Sequence, residues 1–112
     1  MSSDDLRMMF FVQLPDGTIE QSELRIEIPV KRWERNPSSY EALATFPHIL
    51  PDGHFSSRNP INYVAVRDLM SSVRQFSIDF EKEGGKLFLP DPEDESKPFL
   101  FEAVKAKSYF KV

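Results

Sequence analysis

The chain has 112 residues, a net charge of -4, 40% hydrophobic and 29% charged residues, which bounds it to one compact domain with a core and excludes a largely disordered chain. It has no cysteine, so disulfides, thiolate metal sites and cysteine nucleophiles are excluded. The stretch Asp91-Pro92-Glu93-Asp94-Glu95 alone carries charge equal to the net value, so the remainder is close to neutral and offers no overall basic field for nucleic acid.

Taken in order, the chain opens on Met1-Ser2-Ser3-Asp4-Asp5, acidic where a secretory signal is basic. The apolar run 8–12 is too short for a signal core or a membrane span, so the expected location is the cytoplasm, away from membranes. Residues 6–14 carry Met8, Met9, Phe10, Phe11 and Val12 and lead into Pro15-Asp16-Gly17, a strand followed by a tight turn. Residues 19–21 begin the return strand, with a bulge or break at Ser22-Glu23. Leu24, Ile26, Ile28 and Val30 then alternate with Arg25, Glu27 and Pro29, the clearest strand pattern in the chain. Pro29 lacks the amide that a central strand needs, which favours an edge or a strand end and leaves room for a homodimer by edge pairing. Residues 31–35 extend this strand with Trp33 among Lys31, Arg32 and Arg35. After the turn Asn36-Pro37-Ser38-Ser39, the alternation of Tyr40, Ala42, Ala44 and Phe46 predicts a third strand antiparallel to the second. Leu50-Pro51-Asp52-Gly53 repeats Leu14-Pro15-Asp16-Gly17, but the flanks differ. The tetrapeptide is turn chemistry used twice, not an internal repeat. Residues 54–57 add a short fourth strand.

Residues 62–83 form the one long helix, with Val66, Leu69, Met70, Val73, Phe76 and Phe80 at the three- and four-residue spacing of a single buried stripe. Asn62 is placed to cap its start, and Gly84 to close its end in the left-handed conformation. Residues 86–89 then read as a strand and 90–97 as a polar, acidic loop. For the tail, aromatic and β-branched residues favour strand over 99–112, although Phe99, Ala103 and Ala106 also fit a helical face. The predicted fold is α+β: a single domain over 1–112 with an antiparallel sheet of four to six strands and one long helix on one face.

The order of these segments also resembles a family of short bacterial single-domain proteins without an assigned activity. The resemblance spans 24–89 and rests on Leu24-Arg25-Ile26-Glu27-Ile28-Pro29-Val30-Lys31-Arg32 ending at Asn36-Pro37, on Asp68-Leu69-Met70-Ser71-Ser72-Val73, and on Glu83-Gly84-Gly85-Lys86-Leu87. It implies the order of elements and no mechanism.

His48, Asp52 and His54 are the one grouping of metal-ligand residue types, but their spacing matches no metal motif, and Asp52 already serves a turn. The cations around Trp33 are interrupted by Glu34, and strand alternation splits them between two faces, which weakens a nucleic-acid reading. No serine lies in a nucleophile-elbow context, and Gly84-Gly85 follows a helix instead of opening one, so it cradles no phosphate. Ten phenylalanines serve either a core or an aromatic contact patch. The expected function is therefore that of a small cytosolic, non-catalytic binding or inhibitory protein, similar in kind to an immunity protein. It needs no cofactor and no metal, and it contacts another protein, of basic character, through Trp33, Asp91, Glu93, Asp94 and Glu95. The alternative is an enzyme or ligand-binding module with a diffuse site near His48, Asp52 and His54.

Overall fold

The computed structural model describes residues 5–27 and 38–110. β1 (Leu6–Gln13) and β2 (Ile19–Glu27) pair antiparallel without interruption from Leu6↔Ile26 to Gln13↔Ile19. The turn between them closes with the Gly17 amide on the Leu14 carbonyl and the Leu14 amide on the Thr18 carbonyl, each at 2.8 Å, and Gly17 takes φ +94°. That is a three-residue loop ending in a glycine bulge. The second copy of the tetrapeptide makes the same glycine-to-leucine bond, Gly53 to Leu50 at 2.9 Å. There Asp52 itself is left-handed, at φ 53°, so a turn with positive φ at its third position replaces the first type.

The break expected at Ser22-Glu23 does not occur. Ser22 lies on the buried side of β2 with Leu24 and Ile26, and its hydroxyl donates to the Pro47 carbonyl at 3.0 Å. A buried hydroxyl with a partner gives the strand no reason to bend. β3 (Tyr40–Thr45) pairs antiparallel with β2, as expected, and β4 (His54–Asn59) pairs with β3 over its whole length. β5 (Lys86–Phe88) returns to the other side of β1, giving a five-stranded antiparallel sheet in the order β4-β3-β2-β1-β5. β2 is thus an interior strand as far as Glu27, and the edges of the sheet are β4 and β5. Pro29 itself, the extension over 31–35 and Trp33 lie outside the described residues.

α1 (Asn62–Lys82) packs chiefly over β3 and β4. Its buried line is Ala65, Leu69, Val73, Ser77 and Phe80, while Val66, Met70 and Phe76 are half-buried beside it. The stripe is rotated by about one residue from the purely apolar pattern, because hydropathy alone gives no credit to Ala65 or to Ser77. Ala65 and Ser77 have no exposed surface, nor do Ala42 and Ala44 on β3, and small side chains on both surfaces let backbones approach closely. The Ser77 hydroxyl is satisfied within the helix by the Val73 carbonyl at 2.8 Å. Asn62 is not the cap: Ile61 holds that position without a side-chain bond. Asn59 instead accepts the Ile61 amide at 3.0 Å, turning the chain into the helix from outside it.

At the other end the glycine expectation holds. Gly84 has φ +99°, its amide reaches the Glu81 carbonyl at 3.1 Å, and the Gly85 amide reaches the Phe80 carbonyl at 3.0 Å, which is the paired closure that ends a helix on a left-handed residue. The chain emerges into β5 and puts Leu87 in the core with Phe10, Val12 and Phe46. Among the described residues no helix is long and apolar enough to cross a membrane, which says nothing of spans made by strands.

Candidate functional site: an apolar trough beside an acidic hairpin

Beyond β5 the structure departs from the sequence reading twice, and both departures build one site. Residues 90–97 are not a loop. β6 (Pro90–Asp91) and β7 (Asp94–Pro98) pair antiparallel as a second, two-stranded sheet. Its turn is organised by carboxylates: Asp91 accepts the Glu93 amide at 2.9 Å, and Asp94 accepts the hydroxyl and the amide of Ser96 at 2.6 and 3.1 Å. The Ser96 hydroxyl, and after it the Ser96 amide, hold the Asp94 carboxyl below its ordinary pKa. Charges that read as mere solvation are thus also the chemistry of the turn.

The tail is not a strand either. Val104 makes a single bridge to Leu87, and the short helix α2 (Ala106–Tyr109) follows. The aromatic content favoured strand, but these aromatics anchor the segment from its sides. Phe110 is buried against Phe10, with ring centroids 6.0 Å apart, and Tyr109 meets Phe10 edge-on at 5.7 Å. The backbone is tied on both flanks. The Phe99 amide donates to Leu89 at 2.8 Å and the Val104 amide to Leu87 at 2.7 Å. From α1, the Arg74 guanidinium donates to the Lys107 carbonyl at 3.2 and 3.3 Å, and Glu81 accepts the Ala106 amide at 3.2 Å.

Between hairpin and tail lies an open, mainly apolar trough of about 660 Å³. Leu89, Pro90 and Pro92 line it from the hairpin, and Phe99, Ala103, Val104 and Tyr109 from the tail, with Glu102, Lys105 and Ser108 as its polar members. Two large side chains continue the apolar surface in sequence: Leu100 is 56% and Phe101 90% exposed. The Phe101 ring stacks obliquely on Phe99, with centroids 5.4 Å apart. A run such as Phe99-Leu100-Phe101 at the surface is unfavourable in water and is expected where a surface meets something.

Of the residues singled out from sequence, Asp91, Glu93, Asp94 and Glu95 all fall on this hairpin, and the two prolines that bracket Asp91 line the trough. The acids therefore border the apolar surface. The aromatic partner assigned to them from sequence, Trp33, is among the residues not described. Phe99 and Tyr109, which line the trough, and Phe101, stacked on Phe99, lie in the stretch that the sequence reading places in a strand, although the excess of phenylalanine carries the alternative of a contact patch. His48, Asp52 and His54 are not brought together. His48, left-handed at φ 71°, pairs with Glu20 at 2.5 Å, Asp52 shapes its turn, and His54 opens β4. Among the described residues no group of His, Cys, Asp or Glu is placed to hold a metal ion.

In architecture the chain is an α+β domain carrying an apolar surface with an acidic border. No family model matches it, and no curated protein or solved structure does.

Proposed function

We propose that this chain is a small cytosolic, non-catalytic protein that acts by binding, and through binding inhibiting, another protein by its C-terminal face. The observation that carries this reading is the exposed run Leu100-Phe101, which follows the trough-lining Phe99 and stacks on it through Phe101, since large apolar residues held in water are retained where a partner covers them. The acids of the hairpin support it, as charge at the border of such a surface steers a partner of opposite sign. The residues assigned to the contact are Leu100, Phe101 and Tyr109 as anchors, with Asp91, Glu93, Asp94 and Glu95 beside them.

Site-specific photocrosslinking tests the proposal. A benzophenone amino acid is placed at Phe101, and as a control at Tyr63, which is 66% exposed at the start of α1, in cells that make the protein. One discrete protein adduct at position 101, missing at position 63, is expected. Adducts to many proteins at both positions, or none at 101, overturn the reading.

A further inference from the structure

Resting on that reading, we infer that the trough receives an extended segment of the partner in which one bulky apolar side chain is flanked by lysine or arginine. Its shape comes first. The trough is open, and its lining residue Phe99 is followed in sequence by the exposed Leu100 and Phe101, the latter stacked on Phe99 outside the lining. A compact ligand inside it leaves those two residues in water, whereas a polypeptide laid along it covers them. Extended segments dock in this way when alternate side chains enter a pocket and the others face the rim.

Charge fixes what the flanking residues are. Glu93, Glu95 and Glu102 make no ion pair among the described residues, and the Asp94 contact with Lys97 is long, at 3.9 Å. The carboxylates of Asp91 and Asp94 are held in place by the turn, so a cationic side chain meets preorganised acceptors without ordering them first. The charged residues that line the trough, Glu102 and Lys105, are of opposite sign and leave the selection of charge to the hairpin. An acidic segment would face like charges, which costs affinity and slows encounter.

The test is a selection from a displayed random decapeptide library on the immobilised full chain, with Ala103→Trp as the counter-target. Ala103 is half-buried in the trough wall, and an indole there fills the space while the fold is checked by the amide spectrum of the five-stranded sheet. Enrichment of a bulky apolar residue next to lysine or arginine, lost on Ala103→Trp, is the expected result. Exchanging those cations for glutamate in a selected peptide should weaken it by roughly tenfold or more at low salt. Enrichment of acidic or purely polar sequences, or of sequences that bind Ala103→Trp equally well, overturns the inference. Two other occupants are examined by chemical shift: decanoate, and the chain itself at rising concentration. Perturbation of the Ala103 and Val104 amides by either, without selection of a basic peptide, also overturns it. If these selections fail while the Phe101 crosslink persists, the protein-binding reading stands and the extended basic segment does not. Loss of the crosslink removes both.

Discussion

At the scale of single residues, the sharpest constraint is the glycine pair that ends α1. Gly84 sits at φ +99°, where an L side chain brings its Cβ against the following carbonyl at a cost of about 1–2 kcal/mol. Gly84→Ala should lose about that much stability in urea unfolding, and Gly84→Asn less, since asparagine tolerates this conformation. Gly85 is constrained differently. A Cβ there would overlap the buried Phe80 ring, so Gly85→Ala should lower stability through displaced packing, by about 1–3 kcal/mol, with the left-handed turn itself intact. The role of Gly84 was legible in sequence because few residue types take a left-handed conformation at the end of a helix, glycine foremost. That of Gly85 was not, since which ring lies above a backbone is a property of the folded chain. Charge at β1 and β2 shows the same limit: Arg7 lies across from Arg25, and the side chain of Asp5 meets both, at 3.9 and 2.6 Å, a relief of like charges invisible without the register.

At the scale of elements, those with a strict period were readable and those without were not. β2, β3 and α1 follow two- and 3.6-residue patterns because one side of each faces the core. The hairpin β6–β7 has no buried face to pattern it: Asp94 to Lys97 are exposed throughout, and carboxylate-to-amide bonds hold the turn instead of a core. Such a hairpin is marginal alone, which makes its order sensitive to pH. The folded pKa of Asp94 lies below the ordinary value of 3.8, so its contribution is complete above that value and is lost as the pH falls through the lower, folded one. The Ser96 amide resonance should accordingly shift to its unstructured position on acidification below 3.8, and Asp94→Asn should remove most of that pH dependence. α2 depends on tethers from α1. Arg74→Ala should speed hydrogen exchange of the 106–110 amides while lowering global stability by only about 1 kcal/mol, the net worth of an exposed hydrogen bond. An equal slowing or speeding across the whole sheet would show that the tail is not a separate unit of stability.

For the molecule as a whole, core and surface divide along the chain. The sheet and α1 supply most of a core that includes Phe10, Leu24, Ile26, Phe46, Leu69 and Val73, to which the tail adds Val104, Ala106 and Phe110, while the hairpin is set beside it and Leu100 and Phe101 are left in water. Net charge is -4 and the hairpin concentrates acids at one border of the trough, so the long-range field that a partner meets is asymmetric even though the total is small. Neutralising Asp91 and Asp94 to Asn with Glu93 and Glu95 to Gln keeps the acceptor oxygens that hold the turn while removing its charge. Stopped-flow association with the crosslinked partner should therefore slow by roughly tenfold at low salt and lose most of its dependence on ionic strength, because the removed interaction acts over about a Debye length. Dissociation should change less if, as proposed, Leu100, Phe101 and Tyr109 anchor the partner, and Phe101→Ala should then show the opposite division. Thermal stability separates this from unfolding: exposed charges contribute little to it, and the sheet core has no member in the hairpin. An association rate and salt dependence unchanged in the quadruple variant would mean that the hairpin carboxylates serve the turn alone.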